Sequence, residues 1–265
     1  MKMPVYFVSH GGGPWPYIPE EQDTYALLTR SLQDIPGQLD HKPRAVLMVS
    51  AHWEATGGFL VMSNPRPPML YDYYGFPQHT YQIQYRAPGC AALSERVSQL
   101  LEKAGLPHMS DPDRGFDHGA FVPMVVMYPE ADIPMVQLSI ETHFNPKLHM
   151  DLGRALAPLR DEDILIIGSG LSYHNLREIR STGAAPSAQF DAWLQQAVVQ
   201  GPIDQRLGQL ENWEQAPAAR RAHPREDHLI PLMVAAGAAE QDPATCIYHD
   251  TGLFSNITAS SFRFG

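Results

Sequence analysis

The chain has 265 residues, is 44% apolar and carries a formal charge of −10 at pH 7. That length and composition suit one globular domain with a sizeable core, and the acidic excess excludes the basic surface that a nucleic-acid partner requires. No apolar run approaches the roughly 18–20 residues that span a bilayer, and two cysteines, Cys90 and Cys246, exclude a disulfide framework.

The N-terminus leads directly into a strand, Val5–Val8, too short for the apolar region of a signal peptide. The cytoplasm, with no membrane partner, is therefore the expected setting. The strand ends at Ser9-His10-Gly11-Gly12-Gly13, and a helix is expected over Glu21–Leu32. A second strand, Ala45–Ser50, leads to Ala51-His52, and a third covers Phe59–Met62. From Asn64 to Pro88 runs a proline-rich stretch with five tyrosines, which reads as a long ordered loop. Its Tyr71–Tyr74 segment is a candidate lid. Helix Cys90–Ala104 follows, with Gly105 as its cap. Gly115-Phe116-Asp117-His118-Gly119 reads as a glycine-bounded loop. Next come strand Ile133–Leu138, helix Pro146–Leu156 and strand Ile164–Ile167, whose exit through Gly168-Ser169-Gly170 reaches His174. Helices are expected at Ser187–Val199, Asp204–Glu211 and about Asp227–Ala238, the last capped by Asp227, and a strand at Thr245–Tyr248.

Alternating strands and helices indicate one α/β domain over residues 1–265, with a central mostly parallel or mixed sheet flanked by helices. Ligands in such sheets bind beyond the carboxyl ends of the strands. His10, His52 and His174 all fall just past strands. One histidine there is commonly structural, but three at the same topological position point to metal ligation or acid–base work at the C-terminal rim. His228 at a helix start and His118 between glycines are candidates whose plainer readings are a cap and a turn. The remaining seven, His41, His79, His108, His143, His149, His223 and His249, sit in polar contexts and read as surface residues.

His10-Gly11-Gly12-Gly13 is similar to the oxyanion-hole motif of lipases, but no G-x-S-x-G elbow accompanies it, since Gly168-Ser169-Gly170 lacks the spacing. The glycine run is not a nucleotide-binding fingerprint either, and no H-E-x-x-H or paired-cysteine zinc motif is present.

As a set, Ser9-His10-Gly11-Gly12-Gly13-Pro14, Val49-Ser50-Ala51-His52-Trp53, Gly115-Phe116-Asp117-His118-Gly119, Ile133-Pro134-Met135-Val136-Gln137-Leu138-Ser139, Tyr173-His174-Asn175-Leu176 and His223-Pro224-Arg225-Glu226-Asp227-His228-Leu229 resemble the class III extradiol ring-cleavage dioxygenases. The likeness is strongest to their 4,5-DOPA branch. It implies metal ligands at His10, His52 and His228, with Glu54 and Asp227 as alternatives for the third position. It also implies His174 as acid–base residue or fourth ligand, and His118 in the pocket beside it. Trp15, Trp53 and Phe116 neighbour these motifs and are candidate contacts for an aromatic substrate. The implied partners are a small catechol and O₂. Imidazole suits iron and zinc alike; Fe(II) is expected for turnover, because zinc has no redox chemistry, and Zn(II) as a frequent occupant of purified protein. Two other readings use the same residues: a zinc hydrolase acting through a metal-bound water, and a non-enzymatic binding protein like the Memo-type members of this superfamily.

Overall fold

The computed structural model describes residues 2–265. The strands are β1 (Val5–Ser9), β2 (Ala45–Ala55), β3 (Phe59–Met62), β4 (His108–Asp111), β5 (Met135–Glu141), β6 (Ile164–Gly170), β7 (Ala244–Leu253) and β8 (Ile257–Phe264). They form one sheet in the order β4-β3-β5-β2-β6-β1-β8-β7. The central four, β5-β2-β6-β1, are parallel. The β3–β4 pair is also parallel, whereas β3–β5, β1–β8 and β7–β8 are antiparallel. The sheet is thus mixed around a parallel centre, as expected. Every residue of β1, β5 and β6 is buried, which is why their sequences are near-continuous apolar runs rather than alternating ones.

The helices are α1 (Ala26–Asp34), α2 (Ala91–Lys103), α3 (His118–Met127), α4 (Pro146–Leu156), α5 (Ala184–Leu194), α6 (Ile203–Glu211), α7 (Ala219–Ala222) and α8 (Ile230–Ala238). All nine residues of α8 are buried, so this helix is apolar all round and belongs to the core. Glycines let it approach at backbone distance. A Cβ on Gly168 would lie 2.3 Å from the Pro231 carbonyl oxygen, one on Gly170 2.1 Å from that of His228, and one on Gly237 2.2 Å from that of Met150 in α4. The segment that carries His228 is thereby pressed onto β6.

Several expectations are corrected. Residues 19–21 form a 3-10 turn, and α1 begins only at Ala26. The stretch after Asp117 is not a loop but α3, and Asp117 caps it by accepting from the Ala120 N–H. The helix expected over Ser187–Val199 runs as α5 to Leu194 and continues as a π-helical turn, Gln195–Gln200. α8 starts three residues after Asp227, whose carboxylate faces Arg225 and His228 instead of capping. Strands β4 and β8 were not expected: β4 is four largely polar residues, and Thr258 to Ser261 gives β8 a polar, small-residue middle. His149 and His223 are fully buried rather than on the surface.

Candidate metal centre

Each histidine of the cluster is delivered by a different irregularity at the rim. His10 follows β1, and its N–H is bonded to the Gly170 carbonyl at 3.1 Å. β2 extends to Ala55, but its pairing with β5 jumps from Val49–Leu138 to Glu54–Ile140. His52 lies in the bulge between, and a bulge re-aims side chains in this way. His118 opens α3. His174 sits on the exit loop of β6, tied by its N–H to the Ala222 carbonyl at 2.9 Å. His228 precedes α8.

These five rings meet. The His10 and His52 Nε2 atoms are 3.2 Å apart, as are those of His52 and His228. The His118 ring centroid lies 3.9 Å from that of His52 and 5.3 Å from that of His10. Ligand atoms of His10, His52 and His118 all fall within 4.8 Å of one another. His174 stacks on His228 with centroids 3.4 Å apart and planes 13° from parallel.

The outer ring nitrogens are held from behind. Ser169 Oγ donates to the Gly119 carbonyl. A hydroxyl has one hydrogen, so toward His10 Nδ1, 3.0 Å away, it accepts. His10 therefore carries its proton on Nδ1 and presents a lone pair at Nε2. The Gly119 carbonyl is available because Pro123, four residues on in α3, has no N–H to offer it. His52 Nδ1 lies 3.3 Å from Asp72 Oδ2, a close contact with a carboxylate but off the line of a hydrogen bond. His228 Nδ1 is 3.1 Å from Asp227 Oδ2, off the line of a hydrogen bond.

With His10 protonated on Nδ1, its Nε2 lone pair faces the His52 Nε2 at 3.2 Å, a separation that two ligands of one cation would show. Metal–nitrogen bonds of about 2.0–2.1 Å give nitrogen–nitrogen edges of about 2.8–3.4 Å for right-angled to tetrahedral geometry. The observed 3.2 Å fits that range. Burial, then the neighbouring imidazoles, hold His10 and His228 well below the ordinary histidine range. Burial first pushes His52 down to about 3, and it also lowers His174. Neutral imidazoles are what a metal takes as ligands.

Other expectations fare differently. Ligand atoms of His174, Asp227 and His228 also lie within 4.8 Å of one another. Imidazole donates in its own plane, however, and two nearly parallel planes do not share an ion, so His174 as a fourth ligand beside His228 does not fit. Glu54 is committed to Arg225 through contacts of 2.6 and 2.5 Å. Trp15 and Phe116 have no exposed surface. Trp15 braces the site from the core, its indole N–H donating to the His10 carbonyl at 2.9 Å. Trp53 is 5% exposed and lies under the Arg114 guanidinium. These three aromatics pack; they do not line an opening. Tyr73 does reach the cluster, 5.9 Å from His118. The Tyr71–Tyr74 segment is pinned rather than free, with Tyr71 donating to the Ile83 carbonyl and Tyr73 to that of Thr80, both at 2.6 Å. Asp72, within that segment, had no sequence signal: it is one acidic residue in an aperiodic loop.

A mixed α/β sheet with a buried histidine cluster at its carboxyl rim defines a metal-dependent enzyme, and the comparisons with known proteins say of which kind. Residues 4–265 match the family model described as the catalytic LigB subunit of aromatic ring-opening dioxygenase, and the chain belongs to this family. It is 38% identical over 264 residues to the 4,5-DOPA dioxygenase extradiol of Beta vulgaris, covering 98% of this chain and 96% of the relative. The Escherichia coli (strain K12) protein of the same name is 38% identical over 251 residues, covering 92% and 88%. Dioxygenase tasH of Hapsidospora irregularis is 37% identical, covering 96% and 83%. Among solved structures, an uncharacterized protein from Escherichia coli K12 superposes with a TM-score of 0.79 at 33% identity over the full length of both chains. The chain is thus an aromatic ring-opening dioxygenase, which decides against the hydrolase and the binding protein. Among the described residues no helix is long and apolar enough to cross a membrane.

Proposed function

We propose that this enzyme opens a small catechol of the DOPA type next to its diol, using Fe(II) held by the Nε2 atoms of His10, His52 and His228. The observation that carries this reading is the pair of 3.2 Å Nε2 separations, with the ring of His174 stacked alongside. Three protein ligands on one side leave room for a chelating diol and for dioxygen. Iron would supply the redox-active centre that lets triplet dioxygen react with a singlet catechol. The chain's own residues supply the rest. Neutral His174, free of ligation, takes a catechol proton on binding and returns it as the ring opens. His118, held through Nδ1 by Asp72 at 2.9 Å, faces the same space with Nε2. Tyr73 offers an aromatic edge beside it. Burial of His10, His118 and His228, at 1%, 6% and 3% exposure, keeps competing water out. The two free cysteines suit a reducing compartment, and we assign the enzyme to the cytoplasm.

The test is anaerobic Fe(II) loading followed by a catechol panel that includes DOPA. Oxygen uptake with a yellow ring-opened product is expected, and zinc-loaded protein should be inactive. His174→Ala and His174→Gln should keep the metal and lose about 10²–10⁴-fold in turnover. Equal activity with zinc, or loss of metal from His174→Gln as severe as from His10→Ala, refutes the assignment.

A further inference from the structure

We infer that Asp72 is a positioning residue that fixes two histidines of different duty with one carboxylate, the metal ligand His52 and the pocket residue His118. The inference rests on the ligand set proposed above. Asp72 Oδ1 accepts from the His118 backbone N–H at 3.0 Å and from His118 Nδ1 at 2.9 Å. Its other oxygen, Oδ2, is 3.3 Å from His52 Nδ1. An ionised carboxylate only accepts, so His118 carries its hydrogen on Nδ1 and turns a lone pair at Nε2 inward; the inference extends this tautomer to His52, whose Nδ1 faces Oδ2 off the line of a hydrogen bond. Asp72 meets the outer edges of these rings, which makes it a brace and not a ligand.

The carrier of this carboxylate is the long loop, not the sheet. A bridge between Met69 and Phe116 joins the loop to the segment that leads into α3. Its bonds run from Leu70 N–H to the Phe116 carbonyl and from Phe116 N–H to that of Pro68, both at 2.8 Å. Two residues past Phe116 comes His118, and three past Met69 comes Asp72. One backbone contact therefore sets both ends of the Asp72–His118 bond, while Tyr71 and Tyr73 pin the loop on either side of Asp72. The side chain is 18% exposed, so water competes little for it.

Chelator competition with Zn(II) on metal-free protein tests the role. Asp72→Asn offers one acceptor to two ring N–H donors. Its zinc affinity should fall by about 10–100-fold, the usual consequence of losing a ligand's outer partner. Long-range ¹H–¹⁵N spectra of histidine-labelled, metal-free native protein read the tautomers directly. They should show both His52 and His118 as Nδ1–H, and Asp72→Asn should convert at least one. An Nε2–H tautomer at either ring of the native protein overturns the role, whether or not the variant folds. So does a loss of zinc affinity smaller than tenfold in Asp72→Asn. His52→Ala separates the two layers. If it keeps native zinc affinity, the ligand set has failed; if it loses zinc while Asp72→Asn does not, only the Asp72 role has failed.

Discussion

His149 shows what a single buried imidazole does away from the metal. It has no exposed surface; Nδ1 donates to the Asn145 carbonyl at 2.8 Å, and Nε2 accepts from the Glu141 N–H at 3.0 Å. Protonation would turn Nε2 against that N–H, and burial pushes the pKa down to about 4. Above the ordinary 6.5, both folded and unfolded states are neutral and the full stability is present. As pH falls from 6.5 toward 4, the unfolded chain takes a proton that the folded one refuses, and up to about 3 kcal/mol is lost. Urea unfolding across this window should show a shallower pH dependence for His149→Gln than for the native protein; parallel curves would contradict this. Sequence could not place His149, because nothing in its polar surroundings shows that α4 folds back onto the Glu141 N–H. His10, His52 and His174 were legible because a strand run precedes each. Asp72 was not, because its partners lie 20 and 46 residues away.

At the scale of elements, α3 and α8 position the site, and they differ in how well they could be read. The apolar run of α8 was legible, though its start was misplaced by three residues. α3 was missed, because Gly115 to Gly119 around His118 read as a glycine-bounded loop and hid the start of the helix. Its Pro123 leaves the Gly119 carbonyl to Ser169, and Ser169 in turn orients His10. Pro123→Ala restores an N–H that competes for the carbonyl. Zinc affinity should drop several-fold without a fall in Tm, and unchanged affinity would remove Pro123 from the relay. Gly168→Ala is the opposite case. Its Cβ meets the Pro231 backbone at 2.3 Å, which cannot rotate away. Overpacking of this kind costs typically about 1–3 kcal/mol. Tm and zinc affinity should fall together, because His228 rides on the displaced segment.

For the molecule as a whole, alternation of elements disclosed the α/β class, and the fall of His10, His52 and His174 just past strands disclosed the rim that they share. The strand order could not be read. It depends on pairings across more than 150 residues, such as Val5 with Ile166 and with Phe264, and no local pattern encodes them. Since the cluster joins segments from His10 to His228, an ion bound there clamps most of the fold. Zinc at 100 times its dissociation constant adds about 2.7 kcal/mol. For a domain of this size that corresponds to a rise of about 5–10 °C in Tm. His52→Ala should show no such rise, and an equal rise would place the ion elsewhere.

The proposed cage offers the ion imidazole nitrogens alone, and imidazole discriminates poorly among late first-row divalent metals. Such a cage is not choosy. What it holds after purification then records the trace elements of the growth medium more than the requirement of the reaction. Batches grown in zinc-rich and iron-rich media should melt alike yet differ in specific activity in proportion to their ferrous share.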